Sequence, residues 1–417
     1  MRLSCSRSAL PSNQPLTPYR SFWMGGFEGS DHINGEGEPL DLVCGSGHLQ
    51  SFDSDYAHLA RLGVNTIRES IGWRLSEQGG KFDFSRARLF AEAASRHGLQ
   101  ILWSMMHYGT PDDVSMLDDD FSKRFAEFAA SAARALRPLT QDPPVYTPIN
   151  EIGFLAWAVS ATSMFYPYGA AHGEGAQSTV QSGFDVKCRL VRASLMAMDA
   201  ILSEDSRARF LHIEPMVHVV APYASPELAD LAAEVRGYQW QVWDLIEGRL
   251  MPELGGHPRY LDLIGVNHYH NGQWEVGTEE RLHWHLQDPR RMPFGDLLRE
   301  AWSRYQRPLI VAETSHIGSG RAQWLNDIAT QVQFARDTGV PVEGICLYPI
   351  VDRPDWANAS HWHNSGLWDA HVKSLSTEDR RARHLLMHGE AAPTVPRRIK
   401  LDYAKALKRW MQRLPGT

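Results

Sequence analysis

A single (β/α)8 barrel with extended loops after its strands is the fold class the sequence predicts, and three observations carry it. Eight short, β-rich apolar runs recur along the 417 residues. Longer stretches with helical patterning lie between them. Polar or ionisable side chains stand at nearly every strand exit. Continuous apolar strands separated by helices indicate a parallel sheet covered on both faces. An open doubly wound sheet is the rival, but it calls for a glycine-rich phosphate loop directly after the first strand. Gly25, Gly26 and Gly29 have neither that spacing nor an immediate helix behind them.

Taken in order, the strands are read at 22–28, 64–68, 100–107, 145–151, 209–214, 263–267, 309–313 and 344–348. Helical stretches fall at 85–97, 119–137, 183–204, 227–248, 294–306 and 321–338, and a final one at 399–413. For the first of these, Ser85 supplies a start and Gly98 a stop. Residues 29–50 and 157–180 are Gly/Ser-rich and read as loops on the face where the strands end, and 370–398 is polar and basic. Residues 1–20 are set apart as an N-terminal extension, and 21–417 read as one domain with no internal boundary.

The bulk properties narrow the function. The chain is long enough for a substantial core. Its net charge of −7, from 49 acids against 42 bases, comes without a basic block, which argues against a nucleic-acid partner. No run approaches the roughly 18 apolar residues of a membrane span. The first twenty residues lack an apolar signal core, so no leader is expected. Cys5, Cys44, Cys188 and Cys346 have no zinc-site spacing and read as free thiols in the cytoplasm. The pairs His283/His285 and His361/His363 lack a third ligand, so no metal is expected, and chemistry done by two carboxyl groups and water would need no organic cofactor. Asn358 heads a formal glycosylation sequon, which carries no weight in a cytoplasmic protein. The chain has 14 Trp, 13 Tyr and 15 Phe, rings that pack a core or stack on the flat faces of sugars. The oligomeric state is left open.

Barrel enzymes gather their reactive groups at the carboxyl ends of the strands. There the sequence offers Glu28, Arg68, His107, Asn150 with Glu151, Glu214, Asn267 with Tyr269, Glu313, and Asp352 with Asp355. Two carboxyl groups on separate strand ends are what cleavage of a glycoside needs: one protonates the leaving oxygen, the other attacks or stabilises the sugar cation. Glu151 fits the acid, whose pKa must be raised by burial or a nearby negative charge. Glu313 fits the nucleophile, kept ionised by the cation Arg68 and a hydrogen bond from Tyr269. Asn150 and His107 can reach sugar hydroxyls, and Glu214 is a third acid. Each also has a bland reading. Glu151 can be a helix cap, Arg68 can pair with Glu69, and Tyr269 can be a packed ring with a wet tip. His107 can be a core histidine, and Glu214 can pair with a neighbouring base.

Over most of residues 20–370 an ordered set of motifs resembles glycoside hydrolase family 1, the β-glucosidase family, in a divergent form. Thr147-Pro148-Ile149-Asn150-Glu151 resembles its Thr-x-Asn-Glu motif, and Ile310-Val311-Ala312-Glu313 its nucleophile strand. Residues 262–269, ending Asn267-His268-Tyr269, resemble its Asp-Phe-Ile-Gly-x-Asn-Tyr-Tyr stretch. Arg321 to Leu325 fits its Arg-x-x-Tyr-Leu helix start, and Val351 to Trp356 its Leu-Asp-Asn-Phe-Glu-Trp segment.

The resemblance implies retaining hydrolysis of a β-linked oligosaccharide or glycoside by double displacement. Glu313 would carry the glycosyl group and Glu151 would act as acid, then base, with carboxyl groups about 5–5.5 Å apart. It implies Arg68 and Tyr269 as partners of the nucleophile and His107 as a sugar ligand. Asn267, Tyr348, Asp355, Trp356 and Glu28 would line the same site. The departures are specific. Thr314-Ser315 follow the nucleophile where the family has Asn-Gly, and Tyr348 replaces a Trp. Asp355 replaces a Glu, and Glu28 or Asp31 stands for a Gln. Glucose specificity is therefore not inherited, and a phosphorylated sugar has no Lys/Ser cluster to bind it. The alternatives are an endo-glycanase or transglycosidase of the same clan, and a carbohydrate-binding barrel without turnover.

Overall fold

The computed structural model describes residues 17–169, 183–370 and 396–415. Eight parallel strands close into a barrel: β1 (Trp23–Gly26), β2 (Thr66–Ser70), β3 (Gln100–Met106), β4 (Val145–Ile149), β5 (Arg209–Pro215), β6 (Leu263–Asn267), β7 (Leu309–Thr314) and β8 (Val342–Leu347). Each strand pairs with its neighbours in chain order, and β8 closes on β1. Helices α1 (His48–Leu62), α2 (Ser85–Arg96), α3 (Phe121–Leu136), α4 (Ile152–Ala161), α5 (Gly183–Glu204), α6 (Ala229–Gly237), α7 (Gln241–Glu247), α8 (Phe294–Tyr305), α9 (Arg321–Asp337) and α10 (Leu401–Arg413) make up the helical layer.

Alternation along the strands sorts the apolar residues into two layers. Met24, Leu102, Val145, Leu211, Ile213, Leu263, Ile310, Ala312 and Cys346 fill the barrel interior. Their neighbours Ile67, Trp103, Tyr146, Phe210, Ile264, Val311 and Ile345 face the helices. On α3, Phe121, Phe125, Phe128 and Ala132 recur at helical spacing and are buried. Burying each Phe contributes about 1.5–3 kcal/mol, so Phe125→Ala would cost roughly 3–5 kcal/mol.

The described end of the segment read as an extension takes part in this core. Tyr19 joins the interior layer. Gln100 ties the segment down, its Nε2 donating to the Pro18 carbonyl at 2.7 Å while its Oε1 accepts from the Arg20 amide at 3.0 Å. Residues 1–16 lie outside the described residues.

Several elements differ from the sequence reading. The expected helix 227–248 is broken into α6 and α7 by a 3-10 turn at Tyr238–Trp240, directly after Gly237, a poor helix former. The loop read at 157–180 begins inside α4, where Ile152, Leu155, Ala156, Ala158 and Val159 are buried; 170–182 lies outside the described residues. The loop read at 29–50 contains a one-turn helix, Leu42–Gly45, capped by the Asp41 side chain, and α1 follows it. The helix read from Ser85 does begin there, with the Asp83 carboxylate accepting the Ser85 amide at 2.9 Å. Of 370–398, Arg397–Ile399 pairs antiparallel with Trp368–Ala370, and 371–395 lies outside the described residues.

Candidate active site

The strand ends bring Arg68, Asn150 and Glu313 together by two local devices. Alternation points Ile310 and Ala312 inward, so the next residue should face the helices. A register shift between Val311 and Glu313 in the pairing with β6 re-aims it. Glu313 Oε1 accepts from Arg68 Nη1 at 3.0 Å and from Asn150 Nδ2 at 3.3 Å, and Oε2 accepts from the Tyr269 hydroxyl at 2.7 Å. Arg68 does not pair with Glu69. Its second nitrogen donates to Asn150 Oδ1 at 3.2 Å, and its Nη1 also reaches the Ala312 carbonyl at 2.7 Å. Glu69 points the other way, to His48 and Tyr56.

The second device is at the end of β4. Glu151 has φ +46° and ψ 60°, a left-handed conformation that a non-glycine residue adopts only where its surroundings enforce it. Its own amide donates to the Ile213 carbonyl of β5 at 3.0 Å. Its carboxyl accepts from Asn267 Nδ2 at 2.8 Å and from the Tyr108 hydroxyl at 3.0 Å. Burial first, and the negative Glu313 second, push the Glu151 carboxyl up to about 8. One acid is therefore held protonated at neutral pH beside a second that is tied to a guanidinium.

Beyond Glu313, Glu28 and Arg353 form an ion pair, Nε to Oε2 at 2.9 Å. Burial opposes the charge of Glu28, but Arg353, His107 and Ser30 together hold its carboxyl below the usual range. The Tyr348 hydroxyl lies 3.4 Å from Glu28 Oε1 and accepts from the Gly29 amide at 3.3 Å. Its ring lies over Gly26, where any Cβ would stand 2.2 Å from a ring carbon. His107 Nε2 sits 3.3 Å from Asn150 Nδ2, and burial lowers its pKa. The Trp356 ring meets Tyr108 edge-on at 5.9 Å, with Phe154 at 6.2 Å.

Comparison with solved structures now has a geometry to meet. A hyperthermophilic β-glucosidase mutant superposes with a TM-score of 0.67 at 15% identity, over 93% of this chain and 99% of that one. The family 1 β-glucosidase of Thermotoga maritima, solved with isofagomine lactam, gives 0.64 at 14% identity, over 87% of each chain. The family 1 β-glucosidase of Exiguobacterium antarcticum gives 0.61 at 16% identity, over 83% of this chain and 88% of that one. The chain has the fold of these glycosidases. No protein-family model and no curated protein matches its sequence.

Within that fold the sequence-derived residues divide. Glu151, Glu313, Arg68, Asn150, Tyr269, Asn267 and His107 form one connected cluster, and Glu28 and Tyr348 adjoin it. Trp356 borders it through Tyr108. Asp355 is not brought in: its Oδ2 pairs with His363 Nε2 at 2.8 Å, and its Oδ1 accepts the amides of Ala357 and Asn358. A turn therefore occupies both of its oxygens. Glu214 follows the inward-facing Ile213 and so points to the helix side of the wall, where its carboxylate accepts the Gly153 amide at 2.9 Å.

Two residues of the cluster escaped the sequence reading. Tyr108 directly follows His107 and looks like ordinary core. Arg353 follows Asp352, and its proximity to the charged exit of β8 was the available signal. Among the described residues, no group of three His, Cys, Asp or Glu side chains is placed to hold a metal ion. No described helix is long and apolar enough to cross a membrane.

Proposed function

We propose that the protein is a retaining β-glycosidase acting on a β-linked oligosaccharide or glycoside. The observation that carries this is the pairing of two unlike glutamates. Glu313 is gripped by Arg68, Asn150 and Tyr269, while Glu151, buried beside it, has its carboxyl pushed up to about 8. A buried carboxyl held protonated beside a carboxyl gripped by a guanidinium fits the acid and the nucleophile respectively. The fold shared with β-glucosidases supports the same reading.

In the first step Glu313 attacks the anomeric carbon. The bond to the leaving oxygen breaks as that oxygen takes the proton of Glu151. In the second, the Glu151 carboxylate takes a proton from water, whose oxygen displaces Glu313 and releases the sugar. The two carboxyl groups and water suffice for both steps, so no cofactor is invoked. The cytoplasm, read from the cysteines, is the setting we propose.

Incubation with activated 2-fluoro β-glycosides, followed by peptide mass spectrometry, tests the proposal. It requires a covalent sugar on the peptide containing Glu313. Turnover of a β-glycoside that releases the opposite anomer, or an adduct elsewhere, would overturn it.

A further inference from the structure

Glu214 is buried at 2% exposure, carries a titratable group, and has no part in the two steps above. It lies on the far side of the barrel wall from the sugar, yet next to the corner that carries Glu151. Two successive residues of β5 grip that corner. The Ile213 carbonyl accepts the Glu151 amide at 3.0 Å, and the Glu214 carboxylate accepts the Gly153 amide at 2.9 Å. These bonds bracket the left-handed residue from both sides, one at its own amide and one two residues on, at the start of α4. The fit is close: a Cβ on Gly153 would stand 2.6 Å from Glu214 Oε2.

We propose that Glu214 is a positioning residue for Glu151. It fixes the backbone corner that presents the acid/base carboxyl, and through its charge it helps set the pH at which that carboxyl stops donating. This rests on the reading of Glu151 as the acid/base.

The groups around the pair are few. Glu214 faces Glu151, the amides of Ile152 and Gly153 on α4, and Lys187 from α5, which has Cys188 beside it. From α7 comes the uncharged Gln241, whose Oε1 accepts from Lys187 Nζ at 2.7 Å. Glu151 faces Glu313 and Arg68 across the barrel, and Asn267, Tyr108 and Tyr269 around its rim. Burial pushes Glu214, like Glu151, up to about 8. Two carboxyl groups that lose protons in one range and feel each other release them in coupled steps. A negative Glu214 makes a negative Glu151 harder to form.

The test is the pH profile of kcat/KM on a β-glycoside with a poor leaving group, such as an alkyl β-glycoside or a disaccharide, that the wild type cleaves and whose departure needs the proton of Glu151. Glu214→Gln keeps an acceptor for the Gly153 amide and removes the charge. Its activity at pH 6 should stay within about threefold of wild type, while its alkaline limb moves down by roughly half a pH unit or more and narrows toward a single step. Glu214→Ala, which also removes the acceptor, should lower kcat about tenfold with KM little changed. Gly153→Ala crowds the same contact from the other side and should lower kcat likewise. It serves if the Glu214 variants do not fold. An alkaline limb that stays in place in Glu214→Gln, or full kcat in Glu214→Ala or Gly153→Ala, would overturn the inference. Glu151→Ala run in parallel separates the two readings: if it turned over like wild type, the acid/base assignment itself would fail.

Discussion

Arg68 and Glu313 stand 245 residues apart in the chain and meet at 3.0 Å. Their side chains are 2% and 6% exposed. Such a pair stabilises a fold only weakly, because desolvating two charges costs about as much as their attraction returns. Its value lies in chemistry. Arg68 Nη1 donates to Glu313, and its second nitrogen fixes Asn150, which also donates to Glu313. One guanidinium thus orients two groups from different strands, and in the proposed reaction these groups flank the anomeric carbon.

Arg68→Met is therefore expected to damage both turnover and folding. Without Arg68, Glu313 loses the guanidinium that grips its Oε1, and Asn150 loses the contact that orients it. Loss of one partner from a buried pair also costs about 3–5 kcal/mol of stability, so the loss in kcat/KM, about 10²-fold or more from misplacing Glu313 and Asn150, is read on protein shown to be folded. Steady-state kinetics together with a thermal melt check this. A kcat/KM within tenfold of wild type would mean that Glu313 does not depend on Arg68.

The protonation of Glu151 predicts a pH profile. Its carboxyl is pushed up to about 8, so it donates throughout the neutral range and activity should fall on the alkaline side near that value. Glu151→Gln should abolish the alkaline limb and cost about 10²–10⁴-fold on substrates with poor leaving groups. The loss should shrink sharply with activated aryl leaving groups, which need no proton. An alkaline limb near 5 in the wild type would remove Glu151 from the role.

Most of this arrangement was legible in the sequence. Continuous apolar, β-rich runs separated by helical patterning pointed to a parallel barrel, and the rule that barrel sites sit at strand exits placed Arg68, Asn150, Glu151 and Glu313 together. Inward aim was not legible at Glu313, because a register shift in β7 decides it, nor at Glu214, where the parity of β5 turns the side chain outward. Asp355 reads as a sugar ligand from its place in a motif, and in the structure two neighbouring amides and His363 hydrogen-bond its oxygens. Such competition is settled by turn geometry several residues away, which no motif encodes.

Arg353 is expected to matter for holding substrate. With His107 and Ser30 it holds the buried Glu28 carboxyl below the usual range, and Glu28 Oε1 lies 3.4 Å from the Tyr348 hydroxyl and 3.9 Å from His107 Nε2. Hydrogen bonds to a charged group contribute about 1.5–3 kcal/mol, so Arg353→Met should raise KM roughly tenfold or more while kcat changes less. Initial-rate measurements on the best aryl glycoside decide this. An unchanged KM would place the Glu28–Arg353 pair outside the sugar site.

The last prediction concerns stability, away from the carboxylate cluster. Arg397 Nε and Nη2 donate to the two oxygens of Asp55 at 2.9 and 2.7 Å, with the side chains 3% and 1% exposed. Asp55 also meets His48 Nδ1 at 2.8 Å, and His48 Nε2 meets Glu69 at 2.9 Å. This chain of charges fastens the segment at Arg397–Ile399 to α1 and β2. Arg397→Met leaves Asp55 buried with less compensation and should cost about 3–5 kcal/mol in urea unfolding.

The pH dependence has a definite sign. Burial alone would lower the His48 pKa, but Glu69 and Asp55 outweigh it and the folded value is raised. Its contribution is thus complete below about 6.5, the unfolded value, and is lost as pH rises through the folded one. Burial opposes the charge of Asp55, yet His48 and Arg397 lower its folded pKa. Its contribution is present above about 3.9 and lost as pH falls through the folded value. The network should therefore stabilise most between about pH 4 and 6.5, and His48→Gln should flatten the decline above that window. A wild-type stability that climbs steadily from pH 6 to 9, with His48→Gln following the same curve, would show that His48 carries no charge in the folded protein.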